Sequence, residues 1–176
     1  LNNEFFMNIT YAYGEDEGTT TTQEILATAS WKRLYDERNY TGVRIDGRHD
    51  DLADINYRIG ISGLLGHYFV RNEDSQISAE GGLGYTWEEQ GSTNQGFVNL
   101  YVGERIEHWV TDYTRIFQSF AAFAPVDDFG DFRLIGELGL ETYLSQDISF
   151  KVFLQDQFEN EPAPMREQND FKIVSG

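Results

Sequence analysis

The chain has 176 residues, no cysteine, 3 prolines and 17 glycines, and 30 acidic residues stand against 13 lysines and arginines, a formal net charge of −17. That length suits one domain spanning 1–176, and the lack of cysteine rules out disulfide and thiolate chemistry. So few basic residues argue against nucleic acid as a partner, since a phosphate-binding surface needs clustered Lys and Arg, and a mean hydropathy of −0.50, with no run near the ~18 apolar residues of a spanning helix, excludes a helical membrane protein. The opening Leu1-Asn2-Asn3-Glu4 has neither the basic start nor the apolar core of a leader, so location has to be argued from the fold.

Along the chain the main signal is alternation with a period of two. Phe5, Met7, Ile9, Tyr11 and Tyr13 share one face of a first segment, opposite Phe6, Asn8, Thr10 and Ala12. Ile55, Tyr57, Ile59 and Ile61 alternate with Asn56, Arg58, Gly60 and Ser62, and Ile77 to Trp87 repeats the pattern against Ser78, Glu80, Gly82, Gly84 and Thr86. Phe132, Leu134, Leu138 and Leu140 alternate with Arg133, Glu137 and Glu141. The pattern predicts strands at 4–13, 21–35, 40–46, 54–69, 75–88, 95–109, 113–124, 131–144, 147–158 and 169–176. Many exceed the ~5–6 residues of a globular strand and reach the ~9–11 that cross a bilayer at a tilt.

Polar segments at 14–20, 47–53, 89–94, 125–130 and 159–168 read as long loops. Between them come tight turns at Asp36–Asn39, Arg71–Asp74, Val110–Asp112 and Ser145–Asp147. An up-and-down outer-membrane barrel has this asymmetry, and a Greek-key sandwich has no reason for it. Tyr11, Tyr13, Trp31, Tyr35, Tyr40, Tyr57, Phe69, Tyr85, Trp87, Trp109, Tyr113 and Tyr143 lie mostly near strand ends, where amphipathic rings form girdles at headgroup depth. The expectation is an all-β, antiparallel, up-and-down transmembrane β-barrel of about 10–12 strands, about ten of them in this chain. Ile55, Tyr57, Ile59, Ile61, Ile77, Leu83, Tyr85, Leu134, Leu138 and Leu140 should then face lipid.

The ordered segments Tyr13-Gly14-Glu15-Asp16-Glu17-Gly18-Thr19-Thr20, Tyr57-Arg58-Ile59-Gly60-Ile61-Ser62 with Gly66-His67-Tyr68, Glu80-Gly81-Gly82-Leu83-Gly84-Tyr85 and Phe158-Glu159-Asn160-Glu161-Pro162-Ala163-Pro164 carry a resemblance. Over nearly its whole length the chain resembles the domain-of-unknown-function 481 family, described as salt-induced outer-membrane proteins. The resemblance implies an outer-membrane barrel and brings no catalytic motif. Family members usually carry strands before the segment that starts at Leu1 and close on a full last strand with a terminal aromatic residue, so the barrel is expected to be incomplete at its ends.

His49, His67 and His108 are the only histidines. No two stand at metal-ligand spacing, and no nucleophile–base set is evident, so neither an enzyme nor a metal or other cofactor is expected. Opposite the apolar stripe lie Arg44, Asn56, Arg58, Glu80, Arg105, Glu107, Arg133, Glu137, Glu141 and Lys151. Of these, Arg44, Arg58, Glu80, Arg105, Glu107, Arg133, Glu137 and Glu141 are the candidate lumen lining. They read either as a selective pore wall or as paired charges filling a narrow barrel. Glu104 breaks the pattern: alternation with Val98, Leu100, Val102 and Ile106 turns an acid toward lipid unless a bulge intervenes. The acids at 15–17, at Asp46, Asp50, Asp51 and Asp54, and at Asp127, Asp128 and Asp131 match no calcium-loop spacing and read as a solvated surface. Divalent cations bridging them to lipopolysaccharide are compatible with it, although no spacing specifies them. Three functions follow: a narrow porin-like or small-solute transport channel with outer-membrane lipid as its partner, a non-conducting structural or binding barrel of the Gram-negative envelope, and a soluble ligand-binding barrel. The last would need an apolar interior.

Overall fold

The computed structural model describes residues 2–16, 19–145, 148–162 and 167–175, and the strand side chains among them other than those of 12, 14–16 and 19–22. Ten strands follow one another: β1 (Asn3–Asp16), β2 (Thr19–Leu34), β3 (Asn39–Asp50), β4 (Ile55–Arg71), β5 (Ser75–Gln90), β6 (Thr93–Trp109), β7 (Thr114–Pro125), β8 (Arg133–Tyr143), β9 (Ser149–Glu159) and β10 (Asn169–Ser175). Each pairs antiparallel with the next, in one sheet of order β1 to β10. The sheet curls into an up-and-down half-barrel, with β1 and β10 as its edges among the described residues.

The alternation of side chains becomes two unlike faces. On the convex face stand Ile9, Val43, Ile61, Leu65, Leu83, Val102, Ile116, Leu138, Leu154 and Ile173, exposed by 37–71% in company with the other large apolar residues of that face. On the concave face Glu24, Arg48, Asp50, Ser62, Ser78, Thr86, Glu88, Asn99, Gln155 and Gln157 are buried. Buried among them are Leu34, Tyr40, Leu64, Tyr68, Tyr101, Phe117, Phe123 and Phe153, so the interior mixes charge with aromatic rings while the outer surface is apolar, the reverse of the outer face of a water-soluble sandwich.

A β-bulge at the start of β4 redirects side chains. Ile55 pairs with Gln90 and Tyr57 with Glu89, so Asn56 is the extra residue. The bulge turns Ile55 inward, where it is 1% exposed, against the expectation that it faces outward. It also leaves Asn56 at the exposed rim, bonded to Glu89 at 2.9 Å, rather than on the charged face. Glu104 has no such bulge. Ala79, Glu104 and Phe120 sit in unbroken ladders, so its backbone position belongs to the convex face.

The expected long loops are mostly strand. Only Gly91 and Ser92 separate β5 from β6, and β3 runs on to Asp50. Polar residues there still pair, so hydrophilic stretches mark strands that rise past the apolar band. Gly91 takes φ +58°, the left-handed conformation that a tight hairpin needs and glycine adopts freely. The connections at 126–132 and 160–168 are the longer ones. Glu17 of the first acidic cluster, Gln146 and Asp147 of the fourth turn, Ala163 and Pro164, and Gly176 lie outside the described residues.

Three expected girdle aromatics stand elsewhere. Tyr40 is 1% exposed inside the curl, while Trp109 and Tyr143 flank Arg115 at 5.6 and 5.9 Å on the concave side. Their rings are spent on packing and on holding cations.

Candidate functional site

The concave face carries charge at both ends and a cavity between. At the end bearing the Gly91–Ser92 turn, here the upper end, Arg48 reaches Asp50 at 2.9 Å and Glu159 at 2.6 Å. Its Nε lies 2.8 Å from Glu24 Oε1, off the line of a hydrogen bond, since neither atom finds such a partner. Arg58 pairs with Glu88 and, at 3.2 Å, with the same Glu159. Lys172 pairs with Glu24 and with Asp170 at 2.8 Å. These bonds join β2, β3 and β4 to β9 and β10, across the curl rather than along the sheet. Asp50 also accepts the backbone N–H of Leu52 and Ala53 at 3.0 and 2.9 Å, fixing the turn above it. Beyond the strands, burial holds the Asp131 carboxyl above its ordinary range, with Arg58 opposing.

Near the other end, Glu80 gathers Lys32 at 2.8 Å, Tyr40 at 2.7 Å and Tyr101 at 2.9 Å. Tyr68 donates to Glu4 at 2.7 Å, which also meets Arg71 at 2.6 Å. Glu107 receives Arg105 and Arg115 at 2.6 and 2.9 Å, and Arg115 passes on to Glu141 at 2.6 Å. Glu137 accepts from Ser119 and Gln155 at 3.3 and 2.9 Å.

All eight candidate lining residues lie on the concave face, in separate groups. Glu107 and Glu141 meet through Arg115, and Arg44 and Glu80 meet at the Tyr101 hydroxyl. Arg58 and Arg133 line the upper cavity, and Glu137 stands apart. Many pairs run along one strand two residues on, as in Arg44–Asp46, Arg48–Asp50 and Arg105–Glu107, since residues two apart share a face. The upper network centres on Glu24, Arg48, Asp50 and Glu159. The last three lie past the strand ends expected at 46 and 158, and Asp46 and Asp50, expected on a solvated acidic surface, are instead paired inside the curl, Asp50 2% exposed. The signal was present: Arg44, Asp46, Arg48 and Asp50 continue one face without interruption.

Among the described residues no group of three or more His, Asp or Glu is arranged to hold a metal ion. His49, His67 and His108 sit away from the concave cluster, bonding Asn56 O, Asn39 Oδ1 and Ser75 Oγ, each at 2.8 Å.

A family model described as protein of unknown function, DUF481, matches residues 2–174. The chain belongs to the DUF481 family. No curated protein matches it. For this DUF481 chain, function therefore has to be argued from the two faces of the sheet.

Proposed function

We propose that this chain is an outer-membrane β-barrel protein of the non-conducting structural or binding kind, its interior barred by paired charges toward both ends. The observation that supports this most is the inversion of polarity between the faces. A continuous apolar convex surface on ten strands would be a large unfavourable patch in water, whereas lipid covers it at no cost. In lipid the backbone groups at the edges of β1 and β10 must also be satisfied. The membrane form then pairs these edges, with each other after further curling or with other strands.

Two ion-paired zones favour a closed interior over an open channel. Conduction would require water and ions to pass the Arg48–Glu159–Arg58 zone, and breaking such pairs leaves charges without partners. Single-channel recording in planar bilayers tests this. Conductance should be small or absent, and a large stable conductance whose selectivity inverts with Arg58→Glu, at unchanged heat resistance, would establish the porin-like channel instead.

A further inference from the structure

A cavity of about 360 Å³ lies between the two charged zones, at the small end of the range that holds organic ligands. Toward the upper end its lining includes Arg44, Arg48, Arg58 and Arg133 with Asp46, while the other acids of the lining, Glu4, Glu80, Glu104, Glu107 and Glu137, stand farther down their strands. The acids that pair Arg48 and Arg58, namely Glu24, Asp50, Glu88 and Glu159, do not line the cavity. The guanidinium groups thus stand between the cavity and their carboxylates. Asp46 is already engaged, by Arg44 at 2.6 Å and Thr28 at 3.1 Å.

Arg133 is the unusual member. It faces Glu159 across the β8–β9 ladder, yet Glu159 turns to Arg48 and Arg58. No acid lies within ion-pairing distance of Arg133 among the described residues, and its guanidinium rests on the Phe123 ring at 4.6 Å. Lys151 also lacks a paired acid, and both groups have acids and cations around them: Glu137, Arg105, Glu141 and Arg115 about Lys151, and Arg58, Arg48, Glu159 and Asp46 about Arg133. At Arg133 those two acids are already engaged by other arginines. Directly below, Tyr101 and Phe123 pack with Ala121 and Ile135, and all four line the cavity.

We propose that the upper cavity binds a small amphipathic organic carboxylate, its anionic group held by Arg133 and Arg58 and its apolar body laid against Phe123, Tyr101 and Ile135. The planar guanidinium fork suits a carboxylate, which can be gripped by two parallel N–H bonds. The apolar wall selects against bare inorganic anions. The site goes beyond the envelope-barrel reading and stands on the cavity and its arginines, so it holds or fails independently of conduction.

The test is calorimetric titration of the full chain in detergent micelles with benzoate, and with benzylamine as the probe of like shape and opposite charge. Benzoate should bind and benzylamine should not. Arg133→Gln should weaken benzoate about tenfold or more, the scale of one lost charge-assisted bond, and Arg133→Lys should recover part of it. Equal binding of the two probes, or unchanged benzoate affinity in a folded Arg133→Gln, overturns the proposal. Should Arg133→Gln fail to fold, phenylglyoxal labelling of the parent decides: benzoate but not benzylamine should slow modification of Arg133, and an unchanged rate refutes the site.

Discussion

Glu24 is 2% exposed and holds two cations, Arg48 and Lys172. Glu24→Gln should cost roughly 3–5 kcal/mol, because two largely buried cations lose a shared partner. Equilibrium unfolding in urea with detergent measures this. Glu4→Gln, at the Arg71 pair whose side chains are 28% and 35% exposed, should cost about 1 kcal/mol or less, because solvent screens it. Equal losses would contradict the picture of a dry upper zone. At the opposite end Asp36 is fully exposed, yet the Asn39 side chain, then the Asn39 and Arg38 backbone N–H groups, lower its pKa from 3.8 to about 2. A depressed acid stabilises the fold above its unfolded value and loses that contribution as pH falls through the folded one. Protection of the Asn39 amide, its exchange rate compared with the intrinsic rate at each pH, should therefore fall between about pH 4 and pH 2 in the parent and be lower and flat over that window in Asp36→Ala.

Within the strands, close packing of the inner face depends on where side chains are missing. A Cβ at Gly66 of β4 would clash with the ring of Tyr40, whose hydroxyl bonds Glu80. Gly66→Val should displace that ring and cost about 1–3 kcal/mol, the usual range for overpacking, seen as a lower midpoint in thermal unfolding. Glu104 of β6 makes the opposite case. Its ladder is regular, its backbone position is convex, and its Oε1 has no hydrogen-bond partner among the described residues. If lipid covers that face, Glu104→Leu should stabilise the protein in bilayers by up to about 2 kcal/mol. Destabilisation would mean that the acid has a partner in the membrane form.

For the whole molecule, the inversion of faces predicts the environment of individual sites. Spin labels at Ile61, Leu83 and Leu138 should show lipid-like oxygen accessibility and little contact with a polar reagent. Labels at Ser62 and Thr86, their neighbours on the concave face, should not. If all five behave alike, the half-barrel does not sit in a bilayer. Epitope tags in the 126–132 connection should be reachable on intact cells and tags at Asn72–Asp74 should not. The reverse pattern would invert the orientation while leaving the fold intact.

Together with the tight turns between the segments, alternation gave about ten antiparallel strands, and it told which face is apolar, because side-chain direction in a strand depends only on position parity. It placed Arg44, Glu80 and Glu137 inward for the same reason. Tertiary structure decided what parity cannot express. The bulge at Asn56 reverses the parity of Ile55 relative to Tyr57, and it arises from pairing with β5, which is remote in sequence. Strand ends at Asp50 and Gln90 were hidden because polar residues pair as readily as apolar ones once a neighbouring strand supplies the ladder. The meeting of Glu24, Arg48, Glu159 and Lys172 depends on curl, which brings β2 and β3 opposite β9 and β10. No local pattern encodes that distance, so the meeting of these charges is visible only in the curled sheet.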